Sequence, residues 1–323
     1  MPNSRDDARR AAWSAYWATG GLHSCVGSLD EAYSGAIGTF WQTLFAALPA
    51  TPLRALDLAT GNGAIPRLLW QQRQGRELQI DAVDLAELAP AWHEPAVHTG
   101  IRFHAGVDME ALPFAPATFD LVCSQFGFEY ARREPALAEA LRVLRPDGRL
   151  ALVMHHADSV LVAVARAELA NQALLAAPDG LLACAEQALP WIAMANRGED
   201  PGRFPAALSA RSRYNLAARA LDQAAAASPA PDLLLQAREQ VGRLLASAGQ
   251  DPAPALQALQ QYRQALEAAR LRTAELVGHA LDAAQVQALI AALRQARPTA
   301  AIACEPLAQA EGLLAWGLRL TPA

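Results

Sequence analysis

A chain of 323 residues, 53% hydrophobic and 18% charged, has material for one large globular core or two modest ones. Its 27 basic residues, all arginine, stand against 32 acidic ones; the net charge of −5 without a basic run argues against nucleic acid as a partner. Cys25, Cys123, Cys184 and Cys304 are scattered with no Cys-x-x-Cys, the first residues are polar and unlike a signal peptide, and no apolar run approaches membrane-spanning length. The expectation is therefore a cytoplasmic protein with no metal site, no disulfide framework and no membrane partner.

In chain order, the first predicted element is a helix over 11–18 carrying Trp13, Tyr16 and Trp17 and ended by Gly20-Gly21. Ser28-Leu29-Asp30-Glu31 has the form of a capping box, and the helix it opens sets Tyr33, Ile37, Phe40, Trp41, Leu44, Phe45 and Leu48 on one face. Arg54-Ala55-Leu56 then reads as the end of a strand, Asp57-Leu58-Ala59-Thr60-Gly61-Asn62-Gly63 as a glycine turn, and Ala64 onward as a helix. The next strand covers 78–83 and is closed by Asp84. Strand–helix alternation is expected to continue to His156, with a last strand over 150–154, which implies a parallel sheet.

Residues 157–278 read as an all-helical insertion, punctuated at Pro178-Asp179-Gly180, Asp200-Pro201-Gly202, Ser228-Pro229-Ala230-Pro231-Asp232 and Gly249-Gln250-Asp251-Pro252. Leu256, Leu259, Tyr262 and Leu266 form one helical stripe within it. It is expected either to cap the carboxyl ends of the strands or to pair two protomers as a homodimer. A helix over 283–296 and strands at 300–304 and 312–320 complete the sheet. The resulting division is a helical lid over 1–53, a Rossmann-like domain over 54–156 and 279–323, and the helical cap over 157–278.

The chemistry starts at the glycine turn. A turn of this kind brings bare backbone N–H groups and a helix N-terminus against a ligand, and an acid closing the next strand accepts from ribose hydroxyls. Dinucleotide folds want glycine or alanine at the third position of the Gly-x-Gly-x-x-Gly run, where this chain has Pro66. Asp57 at the head of the turn would repel a pyrophosphate but suits a cationic ligand. The turn therefore fits a nucleoside with an amino-acid tail, S-adenosylmethionine, better than NAD.

The region from Leu56 to His155 resembles class I S-adenosylmethionine-dependent methyltransferases of the small-molecule kind. Five landmarks carry the resemblance: the turn at 57–63, Asp84, the run Gly106-Val107-Asp108-Met109-Glu110-Ala111-Leu112-Pro113-Phe114, the strand Phe119-Asp120-Leu121-Val122-Cys123-Ser124, and Arg142-Val143-Leu144-Arg145-Pro146-Asp147-Gly148-Arg149-Leu150. The resemblance implies an α/β fold, a Rossmann-like and mostly parallel seven-stranded sheet closed by an antiparallel pair, with N-terminal helices folded over the cofactor. It also implies roles. Gly61 and Gly63, with Ala59, Thr60 and Asn62 in the same turn, approach the methionine portion and Asp57 its amino group. Asp84 takes the ribose and Leu85 sits beside the adenine, Asp108 accepts from the adenine amine, and Met109 packs on that ring. Ser124, Gln125 and Phe126 line the channel near the sulfonium. Glu129 and Tyr130 stand where relatives carry histidines facing substrate, and His23 and Tyr33 are further substrate-side candidates.

Methyl transfer needs alignment, exclusion of water and, for a protonated acceptor, a base. His155 and His156, at the end of the fifth predicted strand, are the candidates for that base, because imidazole titrates near neutrality; the alternative is that one or both pack at the strand end. No Asn/Asp-Pro-Pro-aromatic motif follows the fourth strand, no carboxylate cluster resembles a magnesium site, and no Pro-Cys nucleophile is present. The expected activity is metal-independent methylation of a small molecule at oxygen. The alternatives are N- or C-methylation of a metabolite, or a noncatalytic cofactor-binding scaffold.

Overall fold

A computed structural model of the chain describes residues 4–22, 34–49, 52–74 and 77–322. Two compact units divide it, one made of residues 1–162 and 275–323 and the other of residues 163–274.

The first unit is built on seven strands: β1 (Leu53–Leu58), β2 (Leu78–Asp84), β3 (Ile101–Ala105), β4 (Phe119–Gln125), β5 (Leu144–His155), β6 (Ala301–Gln309) and β7 (Gly312–Thr321). Their order is β3-β2-β1-β4-β5-β7-β6, and β7 alone runs against the others. The strands read as nearly continuous apolar runs because both faces of the sheet are covered. Side-chain alternation splits them between two cores. Leu53, Ala55, Leu121, Cys123, Ala151 and Val153 face one core together with Trp41, Phe45, Ile65 and Leu69. Leu56, Leu58, Val122, Leu150, Leu152 and Met154 face the other, with Leu137, Leu289 and Leu293. Helices α2 (Gly35–Ala46) and α3 (Ala64–Arg73) supply the first layer; α4 (Arg133–Val143) and α10 (Ala283–Ala296) supply the second. A true capping box, Asp282 with Gln285, starts α10.

Several sequence expectations shift. The first helix, α1, is longer, Ser4–Trp17. The capping box at 28–31 lies outside the described residues; α2 starts at Gly35 behind Ser34. Strand β5 begins six residues earlier than expected and takes in the Arg145-Pro146-Asp147-Gly148-Arg149 stretch. The alternation is also incomplete: 85–100 and 106–118 carry no helix. Pro90 and Pro95 interrupt the first connection, Pro113 and Pro116 the second, and proline in a helix interior loses a hydrogen bond and clashes with the preceding turn. The 85–100 segment is held instead by rings, Trp92 against His98 and His93 against Phe103 at 5.1 and 5.0 Å between centroids.

The second unit is helical, formed from α5 (Val160–Ala176), α6 (Leu181–Asn196), α7 (Pro205–Ala227), α8 (Asp232–Ala246) and α9 (Ala253–His279), the first and last of which extend into the other unit. Leu175, Leu181, Leu189, Leu221, Leu234, Val241 and Leu259 form its core, and Leu256, Tyr262 and Leu266 pack against it. One expectation is corrected here. Val160–Asn196 is long and apolar enough by composition to cross a membrane. It is broken at 177–180 into two helices of 17 and 16 residues, and Leu175, Leu181, Leu182 and Leu189 on them are buried in the unit's own core.

Phe119 sits fully buried at the start of β4, edge-on to Phe114 at 5.1 Å and under the Arg54 guanidinium. Truncation there removes a ring that neighbours held by strand pairing cannot replace. We expect Phe119→Ala to cost about 3–5 kcal/mol of stability in a denaturant titration.

Candidate active site

The carboxyl ends of β1, β2 and β4 and the turns that follow them line a cavity of about 670 Å³ in the first unit. From the turns come Ala59, Asp84, Leu85, Val107, Asp108, Met109, Gln125, Phe126, Gly127 and Tyr130; α1 contributes Arg9, Trp13 and Trp17, and the end of α9 contributes His279. A ligand-sized hollow at this edge of an open α/β sheet is where such folds bind.

Asp84 is fixed at the cavity wall by two backbone donors. Its Oδ2 accepts from the Gly61 N–H at 2.8 Å and its Oδ1 from the Ala86 N–H at 2.9 Å. Each oxygen keeps a lone pair for a further donor. Burial raises the Asp84 pKa, and backbone bonds from Ala86, Gly61 and Leu85 oppose that rise. In the same lining, Asp108 accepts from the Glu110 N–H at 2.9 Å, with Met109 beside it. Glu110 in turn holds Arg132 at 2.6 Å.

The glycine turn itself is covered rather than open. Gly61 and Gly63 have φ of +54° and +80°, the left-handed region where a side chain is strained. A Cβ on Gly61 would lie 2.5 Å from the Trp17 ring, and one on Gly63 2.6 Å from the Phe103 ring. Asn62 anchors this cover: its amide donates to the Trp17 and Gly21 carbonyls, both at 2.9 Å, and its Oδ1 accepts from the Ala89 N–H. Asp57 lies beneath the turn, 2% exposed, with the Cys123 thiol 3.5 Å from its Oδ1; burial pushes its carboxyl up to about 7. Thr60 is buried and its N–H donates to the Val83 carbonyl. Ala59, at φ +51°, takes a conformation that glycine would adopt without strain.

After β4 the chain turns sharply. Ser124 donates to the Leu58 carbonyl at 2.9 Å and accepts from the Phe128 N–H at 3.1 Å, so it staples β1, β4 and the turn together instead of lining the cavity. The Trp41 indole donates to Gln125 Oε1, while Gln125 Nε2 is buried with no partner among the described residues. Phe126 follows with φ of +52°, a strained value for a bulky residue.

Behind Phe126 lies a buried pair. Glu129 is fully buried; its Oε1 meets His155 Nδ1 at 2.7 Å and accepts from the His155 N–H at 2.8 Å. Phe126 stacks on the His155 ring at 4.1 Å, and Tyr130 meets it edge-on at 6.0 Å. His156 points elsewhere: its ring stacks on Trp316 at 4.2 Å and its Nδ1 accepts from the Asp158 N–H, and burial lowers its pKa.

Of the residues singled out in the sequence, Ala59, Asp84, Leu85, Asp108, Met109, Gln125, Phe126 and Tyr130 line the cavity. Asp57, Thr60, Gly61, Asn62, Gly63 and Ser124 support its wall from behind. Glu129 and His155 form one pair away from His156. His23 and Tyr33 lie outside the described residues. Sequence reasoning missed Arg9 and His279. Arg9 binds Glu275 at 2.6 Å, the Tyr130 carbonyl at 3.3 Å and His279 Nε2 at 3.2 Å. Burial and the neighbouring Arg9 lower the His279 pKa. No local motif surrounds His279; only the return of α9 to the sheet brings it beside Tyr130.

Residues 56–152 match the family model described as "Methyltransferase domain". Among curated proteins, the chain is 34% identical over 127 residues to a ubiquinone/menaquinone biosynthesis C-methyltransferase of Dinoroseobacter shibae, covering 38% of this chain and 51% of that protein. It is 38% identical over 104 residues to a malonyl-[acyl-carrier protein] O-methyltransferase of Methylococcus capsulatus, covering 31% and 36%. The chain thus spans about half, or less, of the length of these relatives. Among solved structures it is similar to a SAM-dependent methyltransferase from Aquifex aeolicus, with a TM-score of 0.33, 20% identity and coverage of 37% and 65%. Residues 56–152, which carry most of the first five strands of the sheet and most of the cavity wall, are thus similar to a methyltransferase domain.

Proposed function

We propose that this protein binds S-adenosylmethionine in the cavity beside Asp84 and transfers its methyl group to a small-molecule acceptor. The observation that carries this reading is the convergence of Asp84, Asp108 and Met109 on one cavity, with Asp84 held by the N–H of Gly61. A ribose presents two hydroxyl donors, and Asp84 retains acceptor capacity on both oxygens. Asp108 and Met109 offer an acceptor and a soft apolar surface for a purine. The buried Gln125 Nε2, without a partner among the described residues, supplies a donor. When bound, S-adenosylmethionine supplies an electrophilic methyl on a sulfonium.

The residues of this chain do the rest. Trp13, Trp17, Phe126 and Tyr130 exclude water and present ring faces suited to a cation. His155, its ring held by Phe126, Tyr130 and Glu129, takes the acceptor's proton. This base is the ground for reading the acceptor atom as oxygen. The relatives are named for C- and for O-methylation at comparable identity, and the choice does not rest on them.

If Asp84 holds both ribose hydroxyls, Asp84→Ala should weaken S-adenosylhomocysteine binding by about 1–3 kcal/mol in calorimetry. An affinity equal to that of the wild type would overturn the cofactor assignment.

The buried carboxyl of Asp57 sets a pH dependence. With its pKa at about 7 it is mostly protonated below that value, and pairing with the ligand's ammonium requires the carboxylate. Binding must then release a proton below pH 7, so affinity for S-adenosylhomocysteine should rise toward pH 7, by at most about tenfold per pH unit, and level off above it. In Asp57→Asn the slope should disappear.

His155→Ala should lower methyl transfer by about 10²–10⁴-fold, followed with a labelled donor and a metabolite extract as the acceptor source. S-adenosylhomocysteine affinity should be unchanged. His156→Ala should leave the rate alone and act on stability, since it removes a ring stacked on Trp316.

A further inference from the structure

Two histidines adjacent in sequence are held in opposite protonation geometries. His156 Nδ1 accepts from a backbone N–H, that of Asp158, at 3.0 Å, so the neutral ring must carry its proton on Nε2. His155 Nδ1 instead faces Glu129 Oε1 at 2.7 Å. The same oxygen accepts the His155 backbone N–H at 2.8 Å, the pattern of a carboxylate oxygen receiving two donors. The His155 proton therefore sits on Nδ1. Its Nε2 keeps the lone pair, and no described residue bonds to it.

Resting on the reading of His155 as the acceptor-side base, we propose that Glu129 is a positioning residue that fixes His155 as the Nδ1–H tautomer and so makes Nε2 the basic atom. Imidazole in open water favours the Nε2–H form, which would present a donor where a base is needed. A buried acceptor at hydrogen-bonding distance from Nδ1 reverses that preference.

Among the described residues the ring has no other hydrogen-bonding partner. Phe126 covers one face at 4.1 Å, with its two ring planes 26° apart, and Tyr130 closes an edge. A flip of the imidazole about Cβ–Cγ would put Cδ2 in place of Nδ1 against Glu129 and leave the stacking nearly unchanged, so stacking fixes the ring's plane and not which edge faces the carboxylate. The doubly engaged Oε1 decides the edge, because it is tied to the backbone of the same histidine. The left-handed backbone of Phe126 is the local cost of placing its ring on His155.

The arrangement also answers a charge problem. A histidine that gains a proton in a site this enclosed becomes a buried cation. A carboxyl group 2.7 Å from Nδ1 lies where it can offset that charge.

The tautomer can be read without knowing the acceptor. Long-range proton–nitrogen NMR on histidine-labelled full-length protein, in mildly alkaline buffer, should show His155 with Nδ1 protonated and Nε2 bare, and His156 the reverse. Glu129→Gln keeps an acceptor oxygen of the same reach and should preserve the His155 pattern. Glu129→Leu should convert it to the Nε2–H form. Finding His155 as Nε2–H in the wild type, or unchanged in a folded Glu129→Leu, overturns the proposal. Should the leucine variant fail to fold, the wild-type tautomer alone decides. S-adenosylhomocysteine affinity, measured on the same samples, should not change. Failure of the wild type to bind it would sink the cofactor reading, while the tautomer result would stand separately.

Discussion

One hydrogen bond, from the N–H of Gly61 to the carboxylate of Asp84, joins the turn after the first strand to the end of the second. Much of the cavity depends on it. Parallel strands end at one edge, and their connections leave that edge in different directions. A bond across two such connections sets the distance between a glycine turn and an acid that are 23 residues apart in sequence. Only left-handed backbone at Gly61 turns this N–H toward the acid. A side chain there would strike Trp17, so the same glycine admits the aromatic cover that α1 lays on the turn.

The polar residues around the cavity fall into two roles with different energetics. Asn62 and Ser124 are buried and spend their hydrogen bonds on the frame. Loss of either leaves partner groups unmet inside the protein, so these positions act through the shape of the site. Asp84, Asp108 and Gln125 keep capacity toward the cavity and act through what occupies it. Glu129 and His155 are a third case, a hydrogen-bonded pair flanked by Phe126 and Tyr130 of the cavity lining.

Helix α1 has its own set of ties. Arg9 and Trp13 both reach Glu275, Arg10 reaches Glu87, and Ser14 accepts from the Glu87 N–H. Arginine suits this place because its guanidinium donates in several directions at once, to a carboxylate, a carbonyl and an imidazole. The Arg9 contact also fixes His279, whose Nε2 must accept because arginine has no acceptor to offer. Three histidines near one sheet edge are thus each held by a different partner.

The sequence by itself determined the sheet, the glycine turn and the identity of the cavity wall. Strand runs, left-handed glycines and an acid at a strand end are local signals, written within a few residues of where they act. Asp84, Asp108, Met109 and Phe126 were legible for that reason. Proline placement was local too, yet the absence of helices at 85–100 and 106–118 escaped a reading based on alternation alone. Only the tertiary structure decided which histidine meets a carboxylate. His155 and His156 are neighbours with the same side chain, and strand pleating sends them to opposite surroundings, one to Glu129 and the other to Trp316. Tertiary structure likewise brought Arg9 and His279 to the cavity, 270 positions apart in the chain. No short-range pattern encodes such a meeting, because it depends on where α1 and the end of α9 pack once the sheet has formed.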